Sequence, residues 1–204
     1  MSRESPVNPN RVEWSGENPG IYLKETADGP WTALALYFKV VISPRGRGKG
    51  IVVLANPDKA AGVAANNFCI TDNEKLMRWL IQDYGRHFAS FKGKVGLEAM
   101  GYLAMDEADT SGDAIESYAE TMKGGGKSVE LRWSGLGKPY CVDVPPAQSG
   151  TGKHQMYSAF SHARSGSIIV DGQALPGKIF DRPFLGGTGR TAFLAFSETW
   201  LSPA

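Results

Sequence analysis

The chain has 204 residues, 42% of them hydrophobic and 21% charged, with a formal net charge of +1. That length can bury a sizeable core, and the ordinary composition excludes wholesale disorder. A near-neutral balance offers no basic excess for nucleic acid or an anionic membrane, and no apolar run approaches the roughly 20 residues of a membrane span.

Residues 1–19 read as an irregular polar arm. Its opening, MSRESPVNPNRVEW, has two prolines and lacks the apolar core of a signal peptide, which points to a cytoplasmic protein. IYLKE (21–25) is a short strand, and ADGP (27–30) turns the chain into the long strand WTALALYFKVVIS (31–43). Leu34, Leu36, Phe38, Val40 and Ile42 share one face of that strand. Trp31, Ala33, Ala35, Tyr37 and Val41 hold the other, so both sides are expected to be covered. The basic loop PRGRGKG (44–50) leads into IVVLA (51–55), and TDNE (71–74) fits a capping box at a helix start. Behind it Leu76, Trp79, Leu80, Tyr84, Phe88 and Phe91 repeat at helical spacing, with Gly85 as a stop or a costly interruption.

From Val95 onward short connections alternate with strand-like runs. Strands are expected over 95–105, 114–122, 128–133, 139–144, 154–163, on both sides of the Asp-Gly turn within 166–177, and over 191–201. An acidic loop, DEADTSGD (106–113), separates the first two. This is a meander of about eight strands after three others and the helix, and closure into a barrel is the simplest way for it to avoid exposed edges. The expected fold is mainly β: one antiparallel up-and-down barrel over residues 20–204, with one amphipathic helix across a mouth or side.

Several strings imitate functional motifs without completing them. AQSGTGKH (147–154) and GGTGRT (186–191) lie between strands, with no helix to receive a phosphate. The acidic loop has half of a calcium ligand set, but Tyr118 stands where the closing glutamate belongs. Cys69 and Cys141 lie far apart and fit no metal spacing, so neither metal nor cofactor is expected.

The candidates for chemistry are charged residues on apolar faces. Asp83 and His87, one helical turn apart, form an oriented acid–base pair if the helix continues past Gly85. Ala192, Leu194, Phe196, Glu198 and Trp200 share one side of the last strand by simple alternation. Among such neighbours Glu198 would be desolvated and its pKa raised. His162 is a second proton-carrier candidate, on the face of Met156 and Phe160. Trp133, Tyr157, Phe196, Trp200 and Tyr102 are the aromatic side chains expected to bind a ligand.

From Gly166 on, GSIIVDGQALPGKIFDRPFLGG…AFLAFSETW resembles a C-terminal signature of lipocalin-like enzymes related to carotenoid 1,2-hydratase, through Asp171, Gly172, Asp181, Arg182 and Gly186. The resemblance covers about a fifth of the chain. That family usually has two barrels in tandem, where this chain has room for one. It implies an apolar-ligand barrel performing hydration, isomerisation or cyclisation without a cofactor, and adds Asp181 and Arg182 to the candidates. The expected function is acid–base lyase, hydratase or isomerase chemistry on a small, largely apolar molecule in the barrel. The alternatives are a lipocalin-type carrier and a barrel packed solid. The expected partner is a small hydrophobic molecule, not nucleic acid or membrane, and a homodimer stays open.

Overall fold

The structure, a computed structural model, describes residues 7–203. It is mainly β, one large and mostly antiparallel sheet with a separate two-stranded hairpin and two short helices. In chain order the strands are β1 (Arg11–Glu17), β2 (Gly20–Lys24), β3 (Trp31–Ile42), β4 (Gly48–Leu54), β5 (Asn67–Thr71), β6 (Gly101–Ala104), β7 (Glu107–Gly112), β8 (Ser117–Gly124), β9 (Lys127–Leu136) and β10 (Tyr140–Val144). β11 (Gln155–Val170), β12 (Gln173–Ala174), β13 (Asp181–Phe184), β14 (Gly187–Arg190) and β15 (Ala192–Ser202) follow. The helices α1 (Glu74–Asp83) and α2 (Val95–Glu98) lie between β5 and β6.

The strand order is β6-β5-β4-β3-β1-β15-β11-β9-β8-β7, with β10 and β12 on β11. This is not the simple meander expected. β5 and β6 pair in parallel, and a parallel pair needs a crossover, here the helical segment between them. β1 and β2 both bridge β3 and β15, one at each end. The expected irregular arm is therefore a sheet strand from Arg11; its residues 1–6 lie outside the described chain. At the other end of the order, β6 and β7 are consecutive, joined through Met105 and Asp106. The Met105 amide donates to the Thr71 carbonyl at 2.9 Å and the Asp106 amide to the Lys123 carbonyl at 2.8 Å.

Other departures have local causes. Asn73, not Thr71, caps α1, accepting from the Leu76 amide at 3.1 Å, while the Thr71 hydroxyl accepts from Asn73 and donates to the Lys49 carbonyl. The expected strand 95–105 opens as helix α2. The acidic loop is itself β7, and its turn is tied by Asp113, whose carboxylate accepts from the amides of Ile115, Glu116 and Ser117. β11 joins two expected strands into one, and Asp171 (φ 51°) and Gly172 (φ 78°) make the anticipated tight turn after it. No helix of the described residues is long and apolar enough to cross a membrane.

The sheet has two apolar faces. One packs against itself: Ala33, Ala35 and Tyr37 of β3 meet Phe68, Met122, Leu131, Trp133, Ile168 and Leu194, all buried. The opposite face, with Leu34, Leu36, Phe38 and Val40, is covered by α1, Tyr84, Phe91 and α2. Both sides of β3 are covered from Ala33 to Phe38, as its composition indicates, but Val41 and Ile42 at its end, also expected to be covered, are exposed.

Candidate functional site

β15 does not keep the alternation read from its sequence. Ser197 takes a left-handed conformation (φ 52°), and the register against β11 shifts between Tyr157 and Ala159. Such a bulge reverses the facing of every residue beyond it. Leu194 and half-buried Phe196 therefore lie on the self-packed face, whereas Glu198 and Trp200 lie with Phe193 and Ala195 on the helix-covered face.

On that second face a cavity of about 160 Å³ opens. Tyr22, Phe160, Phe184, Phe193 and Trp200 wall it, Glu198 and Arg182 face it, and Phe88 and the loop Gln148–Gly150 stand at its rim. The rings interlock: Tyr22–Phe193 centroids are 5.5 Å apart, Phe160–Phe184 4.9 Å and Phe160–Phe193 5.7 Å. Trp200 stacks on Phe88 at 5.9 Å and on Trp14 at 6.3 Å.

Glu198 is 3% exposed, and among the described residues its carboxyl group has one hydrogen bond, from the Trp200 indole N–H to Oε1 at 2.7 Å. Desolvation pushes its pKa up to about 8 against the single opposing bond, so the group is mostly protonated at neutral pH. A second buried carboxyl, Glu120, has a different setting. It accepts from the Tyr118 hydroxyl at 2.5 Å and the Thr110 hydroxyl at 3.0 Å, and faces the packed cluster rather than the cavity.

Arg182 enters from the β13–β14 hairpin, whose turn residues Leu185 (φ 47°) and Gly186 (φ 80°) are left-handed. Along β13 exposure alternates, so Arg182 and Phe184 face inward while Asp181 is exposed and pairs with Arg190 at 3.6 Å. The guanidinium lies 5.2–5.5 Å from the rings of Phe184, Phe193 and Tyr22. His162 is a neighbour of the cavity, not a lining residue; its ring is 5.5 Å from Phe184. Its Nδ1 accepts from the Arg190 amide, which leaves the proton on Nε2 to donate to the Tyr140 oxygen at 2.6 Å. Burial, then Arg182 and Arg190, lower its pKa and keep the ring neutral.

The remaining candidates fall elsewhere. α1 ends at Asp83, a short 3₁₀ turn covers Gly85–His87, and His87 is exposed with no hydrogen bond to Asp83. The expected oriented pair does not form, because Tyr84, directly after Asp83, leaves helical geometry (φ −128°, ψ −66°), so the turn that would bring His87 over Asp83 is never made. Trp133 is buried in the self-packed face with its indole N–H on the Gly20 carbonyl at 3.0 Å, and borders no part of the cavity. Tyr157 accepts from Asn8 and Gln155 at the sheet surface. Tyr102 lies beneath the Arg78 guanidinium, 3.9 Å from its ring, in an open hollow beside α1. Of the eleven named candidates, Glu198, Arg182 and Trp200 line the cavity, with His162 beside it.

Sequence reasoning missed Tyr22, Phe184 and Phe193 as lining residues. Tyr22 could have been found, since IYLKE alternates, but Phe184 sits in a string that reads only as a turn. Among the described residues no group of three or more His, Cys, Asp or Glu side chains could hold a metal ion. Comparison of the chain with family models, curated proteins and solved structures found no match.

Proposed function

We propose that the protein is a cofactor-independent proton-transfer enzyme of isomerase, hydratase or lyase class, acting on a small apolar or aromatic molecule in this cavity. One observation carries the reading: a fully buried carboxyl group with a single indole partner faces a hollow walled by aromatic rings. A carboxyl group poised near neutral pH can give a proton to one carbon and recover it from another, as a double-bond shift or reversible hydration requires. The volume is close to the about 150 Å³ that suffices for a benzene-sized guest. The likeness around Asp171–Gly186 favours the same chemistry by analogy.

The proposal includes the fold: a barrel of lipocalin-like kind, closed through the continuous segment 101–112. The bonds of Met105 and Asp106 to β5 and β8 support that closure. The ligand would then lie against the barrel's outer wall, because the inward cluster is filled by Trp133, Leu131 and Phe68.

A carrier is the second reading, favoured by the lack of any second Asp, Glu or His among the lining residues. Incubating the protein in D₂O with a panel of small arylalkenes, aryl ketones and arylalkenoic acids separates the two. Wild-type protein is expected to incorporate deuterium at carbon in at least one of them, and Glu198→Gln to bind the same compound without exchange. Binding without exchange by the wild type would leave the carrier, and no binding at all would end both readings.

A further inference from the structure

Arg182 is the one cation lining the cavity, and no described residue neutralises it. Asp181, its neighbour in sequence, is engaged by Arg190. Glu198 lies on the same cavity but forms no ion pair with it, and as a mostly protonated acid it supplies no counter-charge. The Arg182 Nε–H reaches the Arg190 carbonyl at 3.4 Å, while its other guanidinium N–H groups find no acceptor among the described residues. A half-buried guanidinium held over three rings, with N–H groups left for a further acceptor, has the chemistry of an anion receptor.

The hairpin that carries it is fixed on both sides. The Phe180 amide donates to the Thr191 hydroxyl at 3.0 Å, and the Arg190 amide donates to His162. The receptor therefore needs little ordering when a ligand arrives. Its chemistry also limits the anion. One planar fork of donors matches one carboxylate, whereas a phosphate dianion calls for further cations or a nest of backbone N–H groups.

We propose that the ligand of this cavity is a small aromatic or alkenyl monocarboxylic acid, its carboxylate paired with Arg182 and its apolar body among Tyr22, Phe160, Phe184 and Phe193. The proposal rests on the cavity being the ligand site. It places the reacting carbons of the acid, not its carboxylate, toward Glu198.

Titration calorimetry with cinnamate and benzoate, beside the neutral isosteres cinnamamide and benzamide, tests it on unaltered protein. The acids are expected to bind at least about tenfold tighter than their amides, by an amount that shrinks with added salt. Arg182→Gln should remove that preference while leaving the amides within about twofold, and Arg182→Lys should restore part of it. Thermal midpoints check that both variants fold. Equal binding of acids and amides by the wild type would overturn the anion assignment and leave the cavity standing. Failure of all four to bind would overturn both.

Discussion

Glu198 keeps its proton because complete burial is opposed by only one hydrogen bond, from Trp200. In the unfolded chain the group ionises near 4.5, and in the folded protein near 8. Between those values the folded state binds a proton that the unfolded state has released, so stability falls as pH rises and levels off above about 8. At about 1.4 kcal/mol per pH unit, the loss from pH 4.5 to 7 is on the order of 3 kcal/mol. Glu198→Gln retains an oxygen for the Trp200 N–H and removes the titration. Urea denaturation should find the variant close to wild type at pH 4.5 and clearly more stable at pH 8. A gap between the two proteins that fails to widen over that range would mean the carboxyl group is ionised in the fold. Glu120 carries the same kind of burial, but two hydroxyl donors stabilise its charged form and moderate the rise.

At the scale of elements, the cavity depends on one irregular residue. Ser197 turns β15 over, so that Glu198 joins Phe193 instead of Leu194. A left-handed residue outside a tight turn costs about 1–3 kcal/mol unless it is glycine. Ser197→Gly is accordingly expected to hold or raise the thermal midpoint, whereas Ser197→Val, stiff at χ1, should lower stability by about 1–3 kcal/mol. Equal midpoints for the two variants would contradict a strained bulge. The charged residue on an apolar strand was legible in the sequence, because alternation reveals an ionisable group among large side chains. Its true neighbours were not, since nothing local in FSETW marks the bulge. The Asp83–His87 pair fails for the converse reason. The 3.6-residue spacing continues through Tyr84 and Phe88, but those rings pack against Trp200 from a broken backbone. The Asp171–Gly172 hairpin was legible because its turn chemistry is local, and the parallel β5–β6 pair was not because it depends on a distant partner.

Across the whole molecule, the self-packed cluster and the cavity lie on opposite faces of one sheet. Leu131→Ala on the self-packed face should cost about 2–5 kcal/mol by leaving a void, yet change cinnamate affinity by less than about twofold. A large loss of affinity in that variant would show that the two faces are coupled. A chelator should leave both the midpoint and binding unchanged; restoration of either by added metal would reveal ligands brought together in some other way. The pairing of β1 with β15 has a consequence for folding kinetics. Arg11 meets Ser202 and Gly16 meets Glu198, so the strand bearing the carboxyl group is held by contacts between opposite ends of the described chain. Closing so long a loop carries an entropic cost that must be met before those contacts form, and non-local β pairings of this kind assemble over milliseconds to seconds. The β8–β9 hairpin, joined through Gly125 and Gly126, needs no such closure and can form early. In stopped-flow refolding, β-structure should therefore appear ahead of any capacity to bind ligand, with the cavity arriving in the slowest phase.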